Sequence, residues 1–442
     1  MDDATQNQQL LASLRSAEIA YHNRYLQGGW EKEYFHNVLK ENARAKYRYV
    51  YFASKIEFSK AINIQRLEEA VHALLSEQEL LRSVFVEVDS VFKWRTFKPP
   101  TNITLPFLDL SSFSESFIKA FIYEVLFAYY ANKDRLSDFC FRCLLLKFGP
   151  EEYRFFFLIN ESIHDQYSED IVRRSILSHY QQVSSSPETT TPNYEQYLQT
   201  LERGPQNISP EKLIAFYQLA AFQEATQRLQ EHIPPESNCS FKLQFPLREN
   251  GDDLNKWELA LRLLKVFCQK YIPVTPLPLL VETDCRGFDN YKYINTMGNF
   301  SDFMPIVLDI NADFATTAQT IQQKVKFASQ HNINFMQLFL NEATTSSIQK
   351  EQRLLRELLG NLMLTKTLFI FRFNAHFDKE KNIEVIDNEK YNNHFKYPAY
   401  LPRWGCGYYF YVSFDKGKLL LEIHAPISLD ENDIQETLHS AI

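Results

Sequence analysis

Five residues in one short stretch, Asn160, Glu161, His164, Asp165 and Ser168, are of the types that hold or move protons. They lie in FFFLINESIHDQYSEDIVRR, where a greasy run gives way to polar residues and then to an acidic helix start. Glu161 and His164 are ionisable side chains in this polar stretch, and imidazole titrates in the working pH range. Asn160 donates and accepts hydrogen bonds but takes no proton as a carboxylate does. Asp165 and Ser168 are residues that brace a loop or cap a helix. Ionisable groups placed where a buried strand meets a helix are where chemistry is expected.

The elements that position these residues follow from periodicity. Phe155, Phe156, Phe157, Leu158 and Ile159 show no helical period, which predicts a buried strand over 153–159. Ser168 is the expected N-cap of the helix that follows. Glu169 and Asp170 fall in its first turn, and Ile171, Val172, Ile176, Leu177 and Tyr180 form its apolar face. Upstream, the pattern predicts helices over 10–26, 64–81 and about 114–132. Strands are predicted over 48–58, through Val84, Val86 and Val88, over 92–97 and over 139–148. The segment VSSSPETTTPN, residues 183–193, breaks every apolar period and reads as an exposed connection. The chain is therefore divided into an N-terminal lobe at 1–182, a linker at 183–193 and a C-terminal lobe at 194–442. The second lobe is predicted to carry helices over 210–232, 254–271, 314–331, 349–359 and 431–441. Its predicted strands span 240–245, 277–282, 367–374, 408–415 and 418–424. Two α/β halves of similar size suggest a ligand site in the crevice between them.

Composition excludes several classes of function. A length of 442 residues exceeds one ordinary core. A formal net charge of −8 without a basic tract argues against nucleic acid or an anionic membrane as partner. No apolar run approaches bilayer length and the start of the sequence is acidic and polar, so a cytoplasmic protein is expected. Cys140 and Cys143 form a CxxC inside FCFRCLLLKF, but strand alternation sets them on opposite faces and no second ligand pair accompanies them. They are expected to be core residues, and no metal site is expected. The 11 His show no HExxH spacing, and with only 11 Gly there is no P-loop, dinucleotide fingerprint or G-x-S-x-G elbow. Trp404 and Tyr408–Tyr411 read as strand core.

The run LSDFCFRCLLLKFGPEEYRFFFLINESIHDQYS, starting at Leu136, resembles the core of nonribosomal peptide synthetase condensation domains. That core has an Arg-bearing strand, a turn, a second strand, then HHxxxDG, an aromatic residue and Ser. EQELLRSVF, LPLLVETDCRG, MGNFSDFMPIVLDI and QHNINF are similar to further motifs of the family and occur in its order. The resemblance implies an α/β fold of two chloramphenicol-acetyltransferase-like lobes forming a V with a tunnel between them. It also implies acyl or peptidyl carrier proteins of synthetase modules as partners. Their phosphopantetheine arms act as substrate tethers, and no cofactor is expected to be bound.

Carried over residue by residue, Asn160 falls on the first His, Glu161 on the second, catalytic His, Asp165 on the Asp and Gln166 on the Gly. Arg142 stands where the family's Arg pairs with that Asp, so a structural Arg142–Asp165 pair is implied. Ser168 and Gly298, Asn299, Phe300 and Ser301 are implied to line the substrate tunnel. Asn160, Asp165 and Ser168 also resemble the DxxxxDxxS of heterocyclisation domains, differing at the first Asp by an amide; Gly298–Ser301 is similar to their GDFT-like stretch. Three functions follow. The first is a protein of peptide or siderophore assembly with altered or lost amide-forming activity, which binds carrier proteins or recruits a tailoring enzyme. The others are an acyltransferase using Glu161 or substrate positioning, and a cyclisation-type enzyme.

Overall fold

The structure is a computed structural model. It describes residues 3–35, 51–88, 91–130, 139–182, 192–202, 218–232, 239–246, 256–272, 274–287, 292–334, 368–374, 406–415, 418–425 and 429–440, with isolated positions at 208, 212, 215 and 216. Two compact units divide the chain. The first comprises Met1–Thr200 with Tyr291–Phe300, and the second includes Leu201–Asn290 and the strands and helices from Ser301 onward. Within the first unit Tyr194 and Tyr197 pack on Tyr293 and Phe300.

In the first unit, helix α1 (Asp3–Gln27) and strands β1 (Trp30–Phe35) and β2 (Tyr51–Phe58) lead into helix α2 (Ile64–Glu77). Asn63 caps α2 by accepting from the Arg66 N–H, and Leu67, Ala70, Val71, Leu74 and Leu75 form its buried face. Strands β3 (Ser83–Val88) and β4 (Val91–Phe97) form a hairpin that β1 extends to a three-stranded antiparallel sheet. The short strand β5 (Phe107–Asp109) precedes helix α3 (Glu115–Ala120). A π-helical turn over Phe121–Leu126 then runs into α4 (Phe127–Tyr130).

Strands β6 (Phe141–Lys147) and β7 (Tyr153–Asn160) form the centre of a four-stranded sheet of order β2-β7-β6-β5, with only the β5/β6 pair parallel. Both central strands are buried nearly end to end, which is why they read as unbroken apolar runs rather than alternating ones. Leu144, Leu146, Phe156 and Leu158 pack with Leu14 of α1 and with Phe117, Phe121 and Leu126. Cys140 and Cys143 are free and buried, as expected of core residues. Helices α5 (Gln166–Gln181) and α6 (Tyr194–Glu202) complete the unit. Residues 183–191 of the expected linker lie outside the described residues.

The second unit holds a six-stranded sheet of order β10-β9-β11-β12-β13-β8. Its strands are β8 (Cys239–Pro246), β9 (Leu277–Asp284), β10 (Ser301–Leu308), β11 (Leu368–Asn374), β12 (Cys406–Asp415) and β13 (Lys418–Ala425). The pairs β9/β11 and β11/β12 are parallel, and the others are antiparallel. Helices α7 (Leu219–Gln230), α8 (Lys256–Tyr271), α9 (Phe314–Gln330) and α10 (Glu431–His439) contribute to one core, in which Leu263, Phe267, Phe371, Phe410 and Val412 are fully covered. Tyr408 and Phe410 belong to that core, whereas Tyr409 and Tyr411 are only partly buried. The helix expected over 349–359 and Trp404 lie outside the described residues.

Candidate functional site

Strand β7 ends at Asn160 because its side chain turns back on the chain. The Asn160 N–H donates to the Cys140 carbonyl at 2.8 Å, and Asn160 Oδ1 accepts from both Ser162 N (3.0 Å) and Ser162 Oγ (2.7 Å). The residue is fully buried. This local bonding starts a 3-10 turn over Glu161–Ile163, which delivers His164 and Asp165 to the head of α5. The backbone of Glu161 sits in that turn, and its side chain lies outside what the structure describes.

Asp165 caps α5, taking the role expected of Ser168. Its Oδ1 accepts from the Ser168 N–H at 2.7 Å, and its Oδ2 accepts from the Phe300 N–H at 2.9 Å. Two acceptors three residues apart both suit a helix start; the one with extended backbone, Asp165, is the cap, and Ser168 falls inside the first turn. Ser168 is fully buried and turns to Gly298 instead. Its Oγ donates to the Gly298 carbonyl at 2.7 Å and accepts from the Gly298 N–H at 3.1 Å.

Gly298 has φ +154°, and a Cβ there would lie 2.1 Å from Tyr194 Cδ2, so only glycine fits against the ring. The Tyr194 hydroxyl donates to the Asn299 carbonyl at 2.8 Å. Phe300 packs among Tyr194, Tyr197 and Tyr293, with ring centroids 5.3, 4.4 and 5.9 Å away. Ser168, Gly298, Asn299 and Phe300 are therefore brought together as a fastening between the loop and the 298–300 segment. Ser301 begins β10, paired with Asp284. Tyr194 is the residue of this joint that the sequence did not single out.

His164 and Arg142 go elsewhere. His164 is 9 % exposed, with Nε2 at 3.8 Å from Glu169 Oε2. Glu169 Oε1 accepts from Ser54 Oγ (2.5 Å) and Arg173 Nη2 (3.2 Å), and Arg173 Nη1 donates to the Lys55 carbonyl (2.8 Å). Burial pushes the Glu169 carboxyl up, but the nearby His164 ring, the Arg173 guanidinium and the Ser54 hydroxyl outweigh it and hold the pKa at about 2. An ionised Glu169 thus ties α5 to β2.

The partner of Arg142 is Glu18, not Asp165. Arg142 Nε and Nη2 donate to Glu18 Oε1 and Oε2 at 3.1 and 2.9 Å, and neither side chain is exposed. The Tyr129 hydroxyl adds a third bond to Glu18 at 2.6 Å, and the guanidinium lies over the Tyr130 ring at 4.4 Å. The implied Arg142–Asp165 pair is replaced by two separate anchors: one joins α1 to β6, the other joins the loop to residues 298–300. Nothing in the spacing of the sequence points from Arg142 to Glu18, because the contact depends on how α1 packs on the sheet. Among the described residues no group of three or more His, Cys, Asp or Glu side chains could hold a metal ion.

A buried strand, a capped loop and a second sheet-based unit define an α/β protein with the chloramphenicol-acetyltransferase-like fold of condensation domains. The family model described as Condensation domain matches residues 31–244 of the chain. The epimerization domain from the third module of tyrocidine synthetase B is similar in structure (TM-score 0.61, 12% identity, 89% of this chain and 91% of that one). So are the starter condensation domain of rhizomide synthetase RzmA (0.56, 13%, 89% and 90%) and the condensation domain from Monacolin K polyketide synthase MokA (0.58, 11%, 93% and 96%). No curated relative matches the chain in sequence. Among the described residues no helix is long and apolar enough to cross a membrane.

Proposed function

We propose that this protein serves nonribosomal-peptide-type assembly in the cytoplasm by binding acyl or peptidyl carrier proteins of synthetase modules, or by recruiting a tailoring enzyme to them, with amide formation altered or lost. The observation that carries this reading is the state of the β7–α5 loop. Asp165 and Ser168 keep it fastened to residues 298–300, while Asn160 stands where the family has a histidine and its amide oxygen is committed to Ser162. A frame maintained without imidazole at the motif's first two positions supports holding a tethered substrate over transforming it. Fixed geometry is useful for positioning, and an amide accepts no proton.

The phosphopantetheine arm is the part of the carrier this reading needs, as a tether and not as a resident cofactor. Titrating the protein with holo and apo carrier proteins tests the binding. Tighter binding of the holo form, lost when the Ser168–Gly298 joint is disrupted, supports the proposal. Equal failure of both forms to bind overturns it.

A further inference from the structure

A concavity of about 610 Å³ opens in the first unit where the end of β2 meets the turn between β6 and β7. Phe58 pairs with Tyr153 at this end of the sheet and Tyr51 pairs with Asn160 at the other. The whole of β7, about 23 Å at ~3.3 Å per residue, separates the cavity from the loop described above. Its volume lies within the range of small-ligand pockets.

A ladder of alternating charge runs alongside, and three of its members, Glu57, Arg154 and Glu152, line the cavity. Lys55 Nζ lies 2.8 Å from Glu57 Oε1, which lies 3.2 Å from Arg154 Nε; Arg154 Nη2 lies 2.9 Å from Glu152 Oε1. Arg154 is 5 % exposed, and its guanidinium rests 4.3 Å over the Phe148 ring, so the ladder is fixed in place. Its four charges balance one another. Glu151 also lines the cavity, is exposed, and makes no hydrogen bond or ion pair with a described residue. Phe58, Pro150 and Tyr153 supply the apolar part of the lining.

One unspent carboxylate at an aromatic, partly apolar concavity is complementary to a cation carried on an apolar stem. Guanidinium suits it better than ammonium, because a planar fork binds a carboxylate through two bonds and stacks on rings. We propose that this cavity docks an arginine side chain presented by a partner protein, with Glu151 taking the guanidinium and Phe58 and Tyr153 the stem. The site is independent of the carrier-binding reading.

The test uses acetyl-Leu-Arg-Leu-amide and its uncharged citrulline counterpart as probes, titrated into the full chain and followed by NMR. The arginine peptide is expected to bind about tenfold more tightly than the citrulline peptide, the value of one charge-assisted contact of about 1.4 kcal/mol. Glu151→Gln is expected to remove that preference, and Glu151→Lys to abolish binding of the arginine peptide. Circular dichroism and carrier-protein binding should stay unchanged in both variants. Equal affinity for the two peptides, wild-type affinity in Glu151→Lys, or no binding by the wild-type chain overturns the proposal.

Discussion

Arg142 and Glu18 form a two-bond ion pair in which neither side chain reaches solvent, joining α1 to the central strand β6. Removing one member of such a pair strands the other's charge, at a cost of about 3–5 kcal/mol. Arg142→Ala and Glu18→Ala are each expected to lower unfolding free energy by that amount in chemical denaturation. The double variant Arg142→Met/Glu18→Leu should be milder than either, because it buries no unpaired charge. A single variant as stable as the wild type would show that the pair contributes nothing.

Gly298 and the Tyr194 ring form the tightest point of the loop fastening. Gly298→Ala is expected to destabilise the first unit by about 1–3 kcal/mol through overpacking and strained backbone. Adding Tyr194→Ala should remove most of the steric part, so that the two substitutions combine to less than the sum of their separate effects. Simple additivity in a double-mutant cycle would place the cost of the alanine elsewhere.

His22 gives the first unit a pH dependence of predictable sign. It is 2 % exposed, stacked on Phe139 with centroids 3.8 Å apart, edge-on to Tyr21, on the helix that carries Glu18. Burial first and the Arg142 charge second hold its pKa well below 6.5. The unfolded chain therefore binds a proton that the folded chain resists. The contribution is complete above pH 6.5 and is lost as pH falls below it, by up to about 1.4 kcal/mol per pH unit. Between pH 7 and 5.5 the wild type should lose about 1 kcal/mol more stability than His22→Phe. Parallel stability profiles for the two proteins would contradict this.

The strands and helices around the loop were legible because β6, β7 and α5 announce themselves by composition: two runs buried on both faces, then an acidic helix start with one apolar face. What escaped was long-range or locally atypical. Glu18 meets Arg142 across 124 residues, a distance no periodic pattern spans. Strand β10 carries Pro305 and lies at the edge of its sheet, where a missing N–H costs no ladder bond; its composition therefore does not read as a strand. Strand β5 is three residues long, too short for alternation to register. In the candidate site, the residue types were legible and their partners were not. Ser168 was the expected cap, yet Asp165 caps the helix and Ser168 bonds to Gly298, a pairing across 130 residues that no local pattern shows.

The central claim is that the fastened loop holds a carrier-borne substrate without joining it to an amine. The most direct measurement incubates the protein with acyl-loaded and aminoacyl-loaded carrier proteins to which it has been shown to bind, and follows both carriers by intact mass spectrometry. The account predicts that both carriers keep their original masses. Transfer of the acyl group to the aminoacyl carrier, abolished in Glu161→Ala, would contradict it and assign the base to Glu161.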